Sequence, residues 1–223
     1  MTLYRITGMF LIALPIAFNL VFFALGRSFS YPDILRQPTD TVLKRFAAGG
    51  SRLIMLWYAF AMTALLAIPI ALLLQQVFVD QPLTFAAAIM GVLSGLVQAM
   101  GLLRWSLLVP TLSAQYNAPT TSAEERSAVA AVFNGFHQYI GVVIGEHLGY
   151  LFTGVWTILI SLMMLNSTLF NPLLALFGIV SALGVMVGLL EPSGWKPAGM
   201  INAMSYIGWS LWLLITGIVL VAA

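Results

Sequence analysis

Long, almost uninterrupted apolar runs alternate with short polar stretches along this chain, and the runs show no two-residue alternation. A membrane-crossing helix needs about 20 predominantly apolar residues, whereas a membrane barrel reads as short alternating segments. The pattern therefore predicts an all-α, polytopic transmembrane helical bundle. Six spans are expected, at approximately 8–25, 53–74, 84–104, 147–165, 173–190 and 200–221, in a single integral membrane domain covering 1–223.

The polar stretches add detail. Residues 27–52 form the most polar segment, and within it Val42, Leu43, Phe46 and Ala47 share one helical face while Asp40 and Lys44 stand four apart on the other. That spacing predicts a short amphipathic helix lying in the headgroup region after span one. Gly49 and Gly50 should stop it, and Ser51 should cap the helix that follows. Ser122 and Glu125 form an S-x-x-E capping box, so a new helix starts there. From Ala123 to Leu165 there is no proline. One straight helix of that length would measure about 64 Å, twice the hydrocarbon thickness, so 123–146 reads as a membrane-associated extension of the fourth helix. A break near Gly145 or Gly149 would make a seventh span. Asn171 and Pro172 read as the cap and first residue of the fifth.

Composition supports the membrane assignment. The chain is 61% hydrophobic and 7% charged, against about 25% charged in soluble domains. The net charge of +2 is dispersed among the spans, which points away from nucleic acid and makes the lipid bilayer the principal partner. With six spans, eight of the nine basic residues fall in the loops after spans one, three and five, and only Arg5 lies opposite. The positive-inside rule makes those loops cytoplasmic and both termini external. With no cysteine, disulfides and thiolate chemistry are excluded.

Candidate chemistry concentrates around the long fourth helix. On an α-helical wheel, Asn134, Gln138, Gly141, Gly145 and Gly149 share a small, polar face bordered by His137. Glu146 falls at its boundary, and His147 lies on the bulky apolar face. Glycines four apart let another backbone or a flat ligand approach closely. An acid within a span is costly unless paired, and Arg104 is the expected partner of Glu146. Neighbours in a helix diverge by about 100°, so Glu146 and His147 are no ready-made dyad. His137 and His147 are too far apart in a straight helix to share a metal, and no metal site is expected. Span three carries its own small stripe, Gly91, Ser94, Gly95, Gln98 and Gly101. Trp105, Trp156, Trp195 and Trp209 read as interfacial anchors, though Trp156 looks deeper than an anchor.

Three blocks carry a resemblance: "YPDILRQPTDTVLKRFAAGGSRLIMLWYAFAMTALLAIPIALLL", "GLLRWSLLVPTLSAQY" and "AVFNGFHQYIGVVIGEHLGYLFTGVWT". In order and spacing, from about Phe18 to Met164, the chain resembles a family of bacterial multi-span membrane proteins known as a domain of unknown function, DUF family 4386. The resemblance implies a bacterial inner-membrane location and a compact six-helix unit, and it brings no activity. It draws attention to Tyr31, Pro32, Asp33, Arg104, Trp105, Pro110, Glu146, His147 and Gly149.

Three functional readings follow. In the first, the protein is a small transporter or receptor-like binder with a cytoplasm-facing polar groove. Gln98, Arg104, Asn134, His137, Gln138, Glu146 and His147 would be its ligand-binding residues, while Gly141, Gly145 and Gly149 serve helix packing. The ligand would be small and polar or amphiphilic, such as a lipid or quinone, and no cofactor is expected. In the second, it is an accessory or scaffold protein without substrate, its polar residues fixing helix packing or a homo-oligomer. In the third, it is an intramembrane enzyme with Glu146, His147 and His137 as catalytic candidates, which requires them to converge across helices.

Overall fold

The computed structural model describes residues 2–223. The described residues are helical with short connections: α1 (Leu3–Phe29), a 3-10 turn (Asp33–Arg36), α2 (Thr39–Leu65), α3 (Ala67–Val77), α4 (Thr84–Leu107) and α5 (Val109–Asn117). Then follow α6 (Ala123–Phe136), a π-helical segment (His137–Leu148), α7 (Gly149–Leu165), α8 (Pro172–Met186), a 3-10 segment (Val187–Ser193) and α9 (Pro197–Ala222). Six helical stretches are long and apolar enough to cross a membrane: Leu3–Phe29, Thr39–Val77, Thr84–Asn117, Ala123–Leu165, Pro172–Ser193 and Pro197–Ala222. The protein is therefore a multi-pass, all-α membrane protein.

Local chemistry explains the element ends. A proline lacks the N–H that would reach the carbonyl four residues back and crowds that carbonyl. Pro69 does this to Leu65, where α2 ends, and Pro110 to Ser106, one residue before the end of α4. Ser122 caps α6 reciprocally: its hydroxyl accepts from Glu125 N at 3.2 Å, and Glu125 Oε2 accepts from Ser122 N at 2.8 Å. The Asn171 side chain accepts from Leu173 N at 2.8 Å, with Pro172 opening α8. The amphipathic helix after α1 is the first part of α2. It runs to Gly50, whose φ of 54° and ψ of −154° break the helical path before the apolar part begins. Of the face read from sequence, Val42, Leu43 and Phe46 are buried and Ala47 is exposed. Lys44 pairs with Asp40 at 2.8 Å.

By contacts the chain divides into two compact units. The first comprises Met1–Ala17, Ala64–Val97 and His147–Ala223. Its core is built on Trp156, Trp209 and Trp212 with Leu11, Ile70, Ile160 and Met163. Small residues let its helices approach: a Cβ on Gly8 would lie 2.5 Å from the Gly217 carbonyl oxygen, and one on Gly91 2.7 Å from the Trp156 indole nitrogen. Polar pairs sit between them, Ser94 with Thr153 at 2.7 Å and Trp209 Nε1 donating to Thr157 Oγ1 at 2.8 Å. Because the Trp209 donor is buried, Thr157→Val is expected to lower stability by about 1 kcal/mol. Equilibrium unfolding in mixed micelles measures this, and a variant as stable as the parent would mean the bond contributes nothing.

The second unit comprises Phe18–Thr63 and Gln98–Glu146. Its centre is aromatic. Trp57 stacks on Trp105 at 4.8 Å between centroids and 14° between planes, and Phe29 meets Phe46, Trp57 and Trp105 edge-on. Ser113 Oγ donates to the Leu43 carbonyl at 2.8 Å, tying α5 to the amphipathic part of α2. Two tryptophans read from sequence as interfacial anchors, Trp105 and Trp209, are core residues instead; Trp156, read as deeper, is buried as well, and Trp195 alone of the four is exposed. Each of the three packs against other aromatic rings, which outweighs the general preference of indoles for the interface.

Candidate functional site

Arg104 occupies the last turn of α4 and is only 8% exposed, in a chain with few charges. An ionised side chain in such surroundings needs compensating dipoles or charges, and several neighbours supply them. Nη1 donates to the Gly101 carbonyl one turn earlier. Nη2 lies 3.4 Å from His137 Nδ1. The guanidinium carbon sits 5.2 Å from the centre of the Trp105 ring. Glu146 and Tyr31 lie within its electrostatic reach. Nε is buried and has no hydrogen-bond acceptor among the described residues.

The long fourth helix shapes this arrangement through its register. Ala123–Leu165 is helical throughout, and His137–Leu148 takes the π form. Lengthening the hydrogen-bond register to i→i+5 raises the turn from 3.6 to about 4.4 residues. His137 and Glu146 are nine residues apart. At 100° per residue they would point to opposite sides of an α-helix. At the π register they are about two turns apart and share a side. The α-helical wheel thus misplaces Glu146, and the π segment brings it round to the side that carries His137.

His137 is fixed from three directions. Its ring stacks on Phe133 at 5.5 Å and 19°, meets Trp105 edge-on at 6.1 Å, and lies with Nδ1 3.4 Å from Arg104 Nη2. With the Arg104 guanidinium donating to Nδ1, the ring carries its proton on Nε2. Tyr31 enters from the connection after α1 and packs edge-on against Trp57 at 5.1 Å. Burial pushes its phenol well above the usual tyrosine range; the Glu146 charge adds to the rise and Arg104 opposes it. At physiological pH it is therefore a neutral hydroxyl.

The glycines fill this side of the helix tightly. A Cβ on Gly141 would lie 2.5 Å from Arg104 Nη2 and 2.6 Å from its Cζ. One on Gly101 would lie 2.6 Å from Gly145 Cα. The guanidinium and the α4 backbone thus occupy the space that the missing side chains leave.

Arg104, His137, Glu146, Gly141 and Gly145 therefore belong to one assembly. Gln98 is half-buried and hydrogen-bonded or otherwise engaged. Asn134 is exposed and accepts from Thr39 Oγ1 at 2.7 Å, and Gln138 is exposed. His147 and Gly149 belong to the other unit; Gly149 is buried, and His147 is half-buried with no hydrogen-bond or ion-pair partner among the described residues. No group of three or more His, Asp or Glu side chains in metal-binding proximity occurs among the described residues. Tyr31, to which the resemblance drew attention without a role, joins this assembly, whereas the aromatic wall of Phe29, Trp57 and Phe133 was missed. They come from segments far apart in sequence, and no local spacing links them.

Gly135, in contrast, has open space where a methyl group would stand, with no atom within 4 Å, and lies on the exposed side of α6. Gly135→Ala is expected to raise stability by about 0.5–1 kcal/mol through reduced backbone entropy in the unfolded chain. A thermal melt in nanodiscs reads this, and a lowered midpoint would reveal an unseen contact there.

No curated protein and no solved structure matches the chain. The family described as "Domain of unknown function (DUF4386)" matches residues 6–217, nearly the whole chain and every element of the Arg104 assembly, and the chain belongs to that family.

Proposed function

We propose that this multi-pass membrane protein is a small transporter or receptor-like binder whose polar centre is the assembly of Tyr31, Arg104, His137 and Glu146. The observation that carries this reading is the buried Arg104 Nε with no acceptor among the described residues, within electrostatic reach of a neutral phenol and a carboxylate. A buried donor left unbonded costs about 1–3 kcal/mol, and a small polar or amphiphilic ligand with an acceptor group would recover it. The π segment adds support, since such departures from the α form occur frequently at functional sites. Arginine within a membrane span is itself a functional marker. The distribution of the basic residues supports a cytoplasmic side for the assembly and external termini, and family membership accords with a bacterial inner membrane.

A second reading, a scaffold without substrate, is favoured by the backbone contact of Gly101 with Gly145. The enzyme reading has less support, because His137 Nδ1 faces Arg104 and His147 has no hydrogen-bond or ion-pair partner among the described residues.

Native mass spectrometry of protein released from native-membrane nanodiscs separates these readings. The binder reading expects a retained small molecule that is lost from Arg104→Lys, which keeps the charge but has no Nε donor of that geometry, and kept in Gly135→Ala. A parent protein carrying bilayer lipid alone, with Arg104→Lys changed in stability only, would make the assembly packing.

A further inference from the structure

A cleft of about 530 Å³ opens between the end of α1 and the middle of α2, and none of its lining residues belongs to the Arg104 assembly. Phe23, Ala24 and Leu53 line its apolar part, and Arg27, Gly49 and Arg52 its polar part. We infer that this cleft is a binding site for an anionic phospholipid, its phosphate held between Arg27 and Arg52 and an acyl chain lying along Phe23, Ala24 and Leu53.

The charge is one-sided. Arg27 and Arg52 are both exposed, neither has a carboxylate partner among the described residues, and no acidic residue lines the cleft. Arg27 is held over the Phe23 ring at 4.4 Å, which orients its head while leaving its N–H groups open to an anion. Ser28 is no competitor, since its hydroxyl donates back to the Ala24 carbonyl at 2.7 Å. The break at Gly50 adds a local positive field, because a helix that restarts there presents its first N–H groups beside Arg52.

Depth selects the lipid over a free anion. The 27 residues of α1 extend about 40 Å, longer than the roughly 30 Å hydrocarbon layer, so Arg27 in its last turn reaches headgroup level. The amphipathic part of α2 that leads into Gly50 belongs to the same interface. A cleft half apolar and half cationic at that level matches a lipid's phosphate and upper acyl chain, whereas an inorganic anion would leave the apolar half unused. The inference is independent of the proposed function, since it uses none of the residues around Arg104.

The test is lipid retention by native mass spectrometry of the full chain titrated with phosphatidylglycerol, phosphatidylcholine or inorganic phosphate. The parent should retain phosphatidylglycerol about tenfold better than phosphatidylcholine, and Arg27→Gln/Arg52→Gln should abolish that preference while Arg5→Gln leaves it intact. Equal retention of the two lipids by the parent, an unchanged preference in the double variant, or phosphate competing as well as the lipid would each overturn the site. A second measurement keeps both arginines. The chain has no cysteine, so Ser28→Cys carries a single fluorophore, which nitroxide-labelled phosphatidylglycerol should quench more strongly than the phosphatidylcholine analogue. Equal quenching would count against the site even if the double variant failed to fold.

Discussion

Arg104→Met is expected to lower stability by about 3 kcal/mol, measured by equilibrium unfolding in mixed micelles. Methionine keeps the apolar stem as far as the Nε position and removes the rest of the guanidinium, so the loss reports the charge, its bonds and the space that group fills over Gly141. Four partners are affected at once: the Gly101 carbonyl and His137 Nδ1 lose a donor, the Trp105 ring loses its cation, and Glu146 loses a positive charge within its electrostatic reach. Breaking a buried ion pair by removing one partner costs about 3–5 kcal/mol in soluble proteins. In a membrane the unfolded helices find other partners, which lowers the figure. The diagnostic is the double variant Arg104→Met/Glu146→Gln. Removing the carboxylate charge as well eliminates the uncompensated group, so the double variant should recover about half of the loss. Strictly additive losses would show that the two charges act independently, and Arg104 and Glu146 would then not form one assembly.

The division between what sequence reveals and what it hides follows from the range of each signal. Six spans were legible because length and apolarity are summed over about 20 residues, and no tertiary contact can change them. The Ser122 box and the Asn171 cap were legible because donor and acceptor lie within three residues of one another. Arg104 stood out because a charge at the end of an apolar run is costly whatever surrounds it. The helical wheel around His137 and Glu146 failed for a different reason. It presumes 3.6 residues per turn, and the π register accumulates about two turns over those nine residues where the α form accumulates two and a half. Nothing in the composition of 137–148 announces that change except its two glycines. The aromatic centre escaped because Phe29, Trp57, Trp105 and Phe133 lie on four separate elements. The same non-local stacking turned Trp105 from an expected anchor into a core residue.

Gly101→Ala is expected to cost about 2–3 kcal/mol, and Gly145→Leu to prevent the second unit from assembling, seen as loss of the monodisperse peak in size-exclusion chromatography. The new Cβ at Gly101 would lie 2.6 Å from Gly145 Cα and 3.4 Å from both the Gly145 nitrogen and the Ile140 carbonyl oxygen. All three are backbone atoms, so no side chain can swing aside and the helices themselves must separate. Overpacking in a closed core costs about 1–3 kcal/mol, and a contact between two main chains belongs at the upper end. The effect should also reach the charge assembly. Arg104 lies one turn beyond Gly101, and its guanidinium fills the space over Gly141, one turn before Gly145. Any outward movement of α4 lengthens the 3.4 Å approach of Arg104 to His137. The Arg104–Glu146 coupling measured by the double-variant cycle should therefore shrink in a Gly101→Ala background. An unchanged coupling in a destabilised protein would mean that the glycine contact and the charge assembly are separate devices. A reduced one would make the missing side chains at Gly101 and Gly145 the reason that a guanidinium can be held inside this unit at all.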